Sequence, residues 1–252
     1  SNAGELELEL SPSLAAGVSS TLNYLEQYPY ACSEQTVSRF LPNAVTYRLL
    51  KQLGSENAAL KASLDTNLSA GLQRLYTLQH LDGGWGWWLD DTSKPYLSAY
   101  VVQGMLEARK AGYAVDQTRL DQGLAYLHAA LAEQTKAQDA TEQPAESQMN
   151  ARSYMLFVLN EASQPDRGRT VALYDKRNQL SIYGRAYLLM TLKALGGNDE
   201  PVRTLVGELA STAILHATDA HWEERSNDYW NMSSDTRTTA LALQALVRAD
   251  PA

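Results

Sequence analysis

Cysteine is almost absent: Cys32 is the one residue of its kind in a chain of 252. A lone thiol excludes any intrachain disulfide framework, so no redox compartment can be read from bridges. No apolar run approaches the roughly 18 residues of a membrane span. Basic clusters are missing too, and a formal charge of -8 argues against a nucleic-acid footprint. The four histidines, His80, His128, His216 and His221, lack metal-site spacing. His216 and His221 stand five apart, not the four that stack side chains on one helix face. No Gly-rich phosphate loop, His-Glu-x-x-His or Gly-x-Ser-x-Gly pattern occurs. No metal or cofactor is expected.

What is present is 44% hydrophobic, enough for one large core in a chain that can bury about three quarters of its unfolded surface. Ser1-Asn2-Ala3 reads as a protease-cleavage scar left by recombinant expression. Residues 4–13 form an extended arm, because Glu5 to Leu10 alternates charged and apolar with the period of a half-buried strand. Its sheet partners belong to a neighbouring domain, or the arm is simply extended. The chain is expected to be part of a longer protein.

From Leu14 onward the apolar pattern is helical, so residues 14–252 read as one all-α domain. Helical spacing covers 33–53, 56–79, 93–112, 116–134, 148–162, 179–196, 200–215 and 235–249. Pro42 should interrupt the first segment. Gly54, Gly112 and Gly196-Gly197 read as C-terminal stops, and Asp116 and Asp235 as N-caps. Residues 135–147 lack large apolar side chains and read as a surface linker. A faint repeat places Tyr47, Tyr100, Tyr154, Tyr187 and Ala240 at equivalent positions, mostly a little over 50 residues apart. That is the period of a helical hairpin, and such hairpins stack in a line or close into a ring.

Two stretches carry chemistry. The first is Tyr28-Pro29-Tyr30-Ala31-Cys32-Ser33-Glu34-Gln35. A glutamine three positions after a cysteine, in a turn or first helical turn, lies on the same side of the chain. The thiolate can then attack the glutamine carbonyl, expel ammonia and leave an internal thioester. Against this stands the ordinary role of a lone cysteine as a small buried hydrophobe. The second stretch, Leu78-Gln79-His80-Leu81-Asp82-Gly83-Gly84-Trp85-Gly86-Trp87-Trp88, ends a helix in a glycine-rich turn with three of the five tryptophans. It reads as an aromatic plug closing the end of a helical barrel.

The run from Tyr28 to Gln35, continued by Ser38-Arg39-Phe40-Leu41-Pro42, resembles the thioester-containing domain of bacterial alpha-2-macroglobulin-like proteins. The Gln-x-x-Asp-Gly-x-Trp turn is similar to a second segment of the same family. The resemblance implies an α/α toroid of inner and outer helices, inserted into a small β domain and flanked by macroglobulin-like β domains of a parent chain. It implies a single-use protease inhibitor rather than an enzyme. Gln35 would acylate a lysine amine of the attacking protease as Cys32 leaves. Glu34 is a candidate to assist proton movements. Tyr28, Tyr30, Trp85, Trp87 and Trp88 are candidates to shield the bond from water. Complement-type relatives use a histidine about a hundred residues on; here that region is Ser147-Gln148-Met149-Asn150, which favours amines over hydroxyls. The parent is expected to be a periplasmic, membrane-anchored lipoprotein. The alternatives are a non-reactive structural module of such a protein, or an α/α-toroid enzyme acting on glycans or isoprenoids. The acidic, aromatic stretch from Asp219 to Trp230 would serve the latter.

Overall fold

The computed structural model describes residues 32–54, 58–139 and 145–249. Tyr28, Tyr30, the expected scar and the extended arm lie outside these residues. Nine α-helices run through the described chain: α1 (Ser33–Gln52), α2 (Ala58–Leu78), α3 (Pro95–Lys110), α4 (Gln117–Asp139), α5 (Glu146–Glu161), α6 (Arg167–Asp175), α7 (Ile182–Leu195), α8 (Glu200–Ser211) and α9 (Asp235–Ala249). A two-stranded antiparallel hairpin, β1 (Ile214–Leu215) with β2 (Ala220–His221), lies between α8 and α9.

The odd-numbered helices pack on one another in order, α1 on α3, α3 on α5, α5 on α7 and α7 on α9, while the even-numbered ones lie outside them. This is the α/α toroid. The division follows from the sequence. α3 and α5 are buried along almost their whole length. α8 buries Val202, Leu205 and Leu209 alone, a single stripe at helical spacing.

The repeat positions all fall on the inner helices, and two of their tyrosines, Tyr154 and Tyr187, pack with Tyr96 in one belt. The rings of Tyr96 and Tyr154 are 4.6 Å apart, and those of Tyr154 and Tyr187 are 4.7 Å apart. Arg237 on α9 closes this belt. Its guanidinium donates to Tyr187 Oη at 3.0 Å, to Tyr96 Oη and to the carbonyls of Asn231 and Met232.

Several boundaries differ from expectation. α1 runs unbroken through Pro42. Its buried residues Val37, Phe40, Ala44 and Tyr47 form one continuous stripe on both sides of the proline, so packing outweighs the lost backbone bond. Two glycines let α1 sit close. A Cβ at Gly71 would come within 2.8 Å of Phe40, and one at Gly104 within 2.9 Å of Val37. The expected linker 135–147 is shorter, because α4 continues to Asp139 and α5 begins at Glu146. α6 escaped the sequence reading, since it is nine residues long with only Thr170 and Leu173 buried. α8 stops at Ser211, short of residue 215. Asp116 caps α4 as expected. At α9 Ser234, not Asp235, accepts from the N–H of Arg237. The glycine stops hold: Gly54, Gly112, Gly196 and Gly197 all have positive φ.

Candidate functional site

Cys32 is the N-cap of α1, in extended backbone geometry with φ -67° and ψ 170°. Its Sγ accepts a hydrogen bond from the Gln35 N–H at 3.5 Å. Its carbonyl accepts from both the N–H and Oγ1 of Thr36, at 2.9 and 2.8 Å. The side chain is 5% exposed, and burial pushes the thiol above its ordinary value, with the nearby Glu34 charge adding to the rise. The Gln35 N–H pulls the other way. The Gln35 side-chain carbonyl oxygen is buried and has no hydrogen-bond partner among the described residues, and the same holds for Ser33 Oγ. A buried acceptor left unpaired is uncommon and calls for a reason.

Glu34 accepts from Ser38 Oγ at 2.6 Å, and Ser38 Oγ lies 3.0 Å from Tyr100 Oη. A hydroxyl has one hydrogen, so Ser38, donating to the carboxylate, accepts a hydrogen bond from the Tyr100 hydroxyl. Burial, with the Glu34 charge adding to it, pushes the Tyr100 phenol up to about 12, keeping it a donor at neutral pH. Ser38 stands four residues after Glu34, a helix-face spacing that could have suggested the pair. Nothing in the local sequence points to Tyr100, which arrives from α3.

The tryptophan turn is held by its own motif residues. Gln79 Nε2 donates to the carbonyls of Gly83 and Arg119 at 3.0 and 2.9 Å. Asp82 Oδ1 accepts from the Gly84 N–H and from Ser93 Oγ. Gly83 has φ +85°, and a Cβ there would meet the Gln122 carbonyl oxygen at 2.4 Å. The three tryptophans have separate fates. Trp85 is fully buried, donates from Nε1 to Leu75 O at 2.8 Å, and rests its ring against Gly123. Trp87 is half-buried, and its carbonyl accepts the Ser33 N–H at 3.1 Å. That bond ties the turn to the cysteine segment. Trp88 is 45% exposed.

Trp87 also lines a pocket of about 240 Å³ with Tyr96, Ser147, Gln148, Trp230 and Met232 among its walls. The region where complement-type relatives were expected to carry a histidine therefore borders the Trp87 side of the site. Ser147 and Gln148 face the pocket, while Met149 and Asn150 are buried.

The acidic loop is structural. Glu224 accepts from the Ile182 and Tyr183 N–H groups at the start of α7 and from Thr238 Oγ1. Asp228 accepts from Tyr183 Oη at 2.6 Å and from the Asn231 and Asn150 amides. His216 begins the turn of the β1–β2 hairpin and His221 ends β2, and their ring centroids lie 5.4 Å apart. Together with Asp219 they place three donor atoms within 4.8 Å of one another.

Among curated relatives, alpha-2-macroglobulin of Thermotoga maritima is 37% identical over 111 residues, which is 44% of this chain and 7% of that protein. Thioester-containing protein 1, allele S3, of Anopheles gambiae is 26% identical over 260 residues, 98% of this chain and 19% of that protein. The chain thus spans less than a fifth of either relative. Two solved structures share the fold. Native Escherichia coli alpha-2-macroglobulin matches with a TM-score of 0.70 at 23% identity, over 91% of this chain and 14% of that one. Salmonella alpha-2-macroglobulin reacted with methylamine matches with a TM-score of 0.71 at 22% identity, over the same shares. The family model described as the A-macroglobulin TED domain matches residues 8–248. With that model spanning nearly all of its length, the chain belongs to the A-macroglobulin TED domain family, the thioester domain of alpha-2-macroglobulin-like proteins.

Proposed function

We propose that Cys32 and Gln35 form an internal thioester that covalently traps an attacking protease. The observation that carries this reading is the pairing at the start of α1. A buried thiol accepts from the N–H of the residue whose own side-chain carbonyl is buried and unpaired. In the forming step the Cys32 sulfur bonds to the Gln35 side-chain carbon, the C–N bond breaks, and the amide nitrogen leaves as ammonia with the thiol proton. In the trapping step a lysine amine attacks that carbon, an amide forms, and Cys32 leaves as a thiol. One acyl group is consumed per event, so this is inhibition and not turnover.

The surroundings support the chemistry. Enclosure beside Trp87 limits water, which would otherwise hydrolyse the bond. Glu34, Ser38 and Tyr100 make a hydrogen-bonded line able to accept or return a proton. Gln148 rather than a histidine faces the neighbouring pocket, which favours amines over sugar hydroxyls. Exposed Trp88, Tyr229 and Trp230 offer an apolar rim on which flanking domains of a longer, periplasmic parent chain would complete the cover.

The test is intact mass before and after methylamine. A protein lighter by one ammonia, which gains one methylamine on treatment with the adduct at Gln35, is the expected result. Full mass, a freely titratable thiol and no uptake, both here and in the parent protein, would leave a non-reactive structural module in its place.

A further inference from the structure

The hairpin between α8 and α9 carries a cluster that the thioester chemistry does not use. Its register pairs Ile214 with His221 and Leu215 with Ala220, and the turn is closed by His216 N–H donating to Asp219 O at 2.9 Å. In an antiparallel pair, residues facing each other share a face, and so do residues two apart on one strand. His216 stands opposite Asp219, and His221 follows Asp219 by two. All three therefore project from one side, while Leu215 and Ala220 project from the other. The two imidazole planes are parallel to within 1°. His216 and Asp219 are exposed and His221 is half-buried, so the cluster is open to solvent.

The platform beneath it is anchored. Trp222, directly after His221, is 3% exposed and donates from Nε1 to Leu209 O at 2.8 Å. Its backbone exchanges two hydrogen bonds with Thr239 Oγ1 on α9. Glu223, one further alternation along the same face, accepts from His221 Nε2 at 3.1 Å.

We propose that His216, Asp219 and His221 form a surface binding site for a divalent transition-metal ion of the zinc class. Two imidazole nitrogens and one carboxylate oxygen are the donors that zinc, nickel and copper prefer, whereas magnesium and calcium take oxygen donors. Bringing the three atoms to the ~3.3 Å edge of a tetrahedron around zinc needs only side-chain rotation, because the backbone already aligns them. Water or Glu223 completes the shell. In the first case Glu223 turns to a hydrogen-bonding role, orienting the ligands around it. The ion would clamp the turn across its open face and stiffen the edge where the hairpin meets α8 and α9. This site is independent of Cys32 and of the thioester reading.

The experiment is calorimetric titration of the whole chain with zinc chloride, with cobalt(II) absorption as a report on geometry. Wild type should bind one equivalent. His216→Ala and His221→Ala should each weaken binding by at least about tenfold, and Glu223→Gln by about tenfold. His128→Ala, on α4, should change nothing. Zinc should raise the melting temperature of wild type but not of His216→Ala, whose substitution lies on the surface and spares the fold. Failure of wild type to bind one equivalent overturns the proposal. Unchanged affinity in both hairpin histidine variants, or loss of binding only on Cys32→Ala, overturns it equally.

Discussion

Two enclosed polar regions sit along the inner helices, and they are built on opposite principles. Arg237 itself is matched. The guanidinium donates to Tyr96, Tyr187 and two backbone carbonyls, and Tyr154 Oη finds Gln103 Oε1. At the start of α1 the match is incomplete, for the Gln35 carbonyl oxygen and the Ser33 hydroxyl have no partner among the described residues. A satisfied network makes a rigid, specific core, whereas unpaired groups beside a buried thiol cost stability and call for a reason. The first region holds the ring together. The second uses the ring as a frame.

The contrast can be broken at the start of α1 first. Cys32→Ala is expected to abolish methylamine uptake entirely, measured by intact mass. It should lower the melting temperature by no more than about 2–4 °C, the scale of one weak cap in a chain of this size. A large loss of stability would mean that Cys32 is chiefly structural.

Trp85→Ala tests the anchor of the tryptophan turn. It empties a fully buried indole site and should cost about 3–5 kcal/mol in denaturant unfolding. Because the same turn holds Ser33 through Trp87 O, uptake of methylamine should fall as well. Arg237→Met should cost about 2–3 kcal/mol, since it removes charged hydrogen bonds from an enclosed cluster. It should leave the mass shift at Gln35 intact. Loss of that shift would show that the two regions are coupled.

The smallest effect is a control distant from both. Burial alone would raise the Asp166 carboxyl, but the Arg169 N–H and guanidinium outweigh it and hold the group below its ordinary value. A depressed carboxylate stabilises the fold at neutral pH, and that contribution is lost as pH falls through the folded value, below about pH 4. Asp166→Asn should therefore flatten the acid limb of the stability curve modestly. Methylamine uptake at neutral pH should not change.

Much of this was legible in the residues. Helical periodicity placed eight of the segments because an apolar stripe at helical spacing needs no knowledge of its partner. Gly54, Gly112 and Gly196 ended helices because only glycine enters positive φ without strain. The missed features share one cause. Pro42 remains inside a helix because Phe40 and Ala44 pack on either side of it. α6 has too little apolar pattern to declare itself. His216 and His221 were judged by helix spacing, and their meeting required knowing that the segment turns as a hairpin.

The sequence by itself determined the helical class, the cysteine–glutamine pair and the glycine turn, since each depends on neighbours within a few positions. Tertiary structure alone decided which tryptophan became core and which reached Ser33. It also brought Tyr100 to Ser38 across 62 residues and joined Arg237 to Tyr96 across 141. Those contacts depend on which helices become neighbours when the hairpins close into a ring, and that choice is made by the summed burial of many side chains rather than by any local pattern.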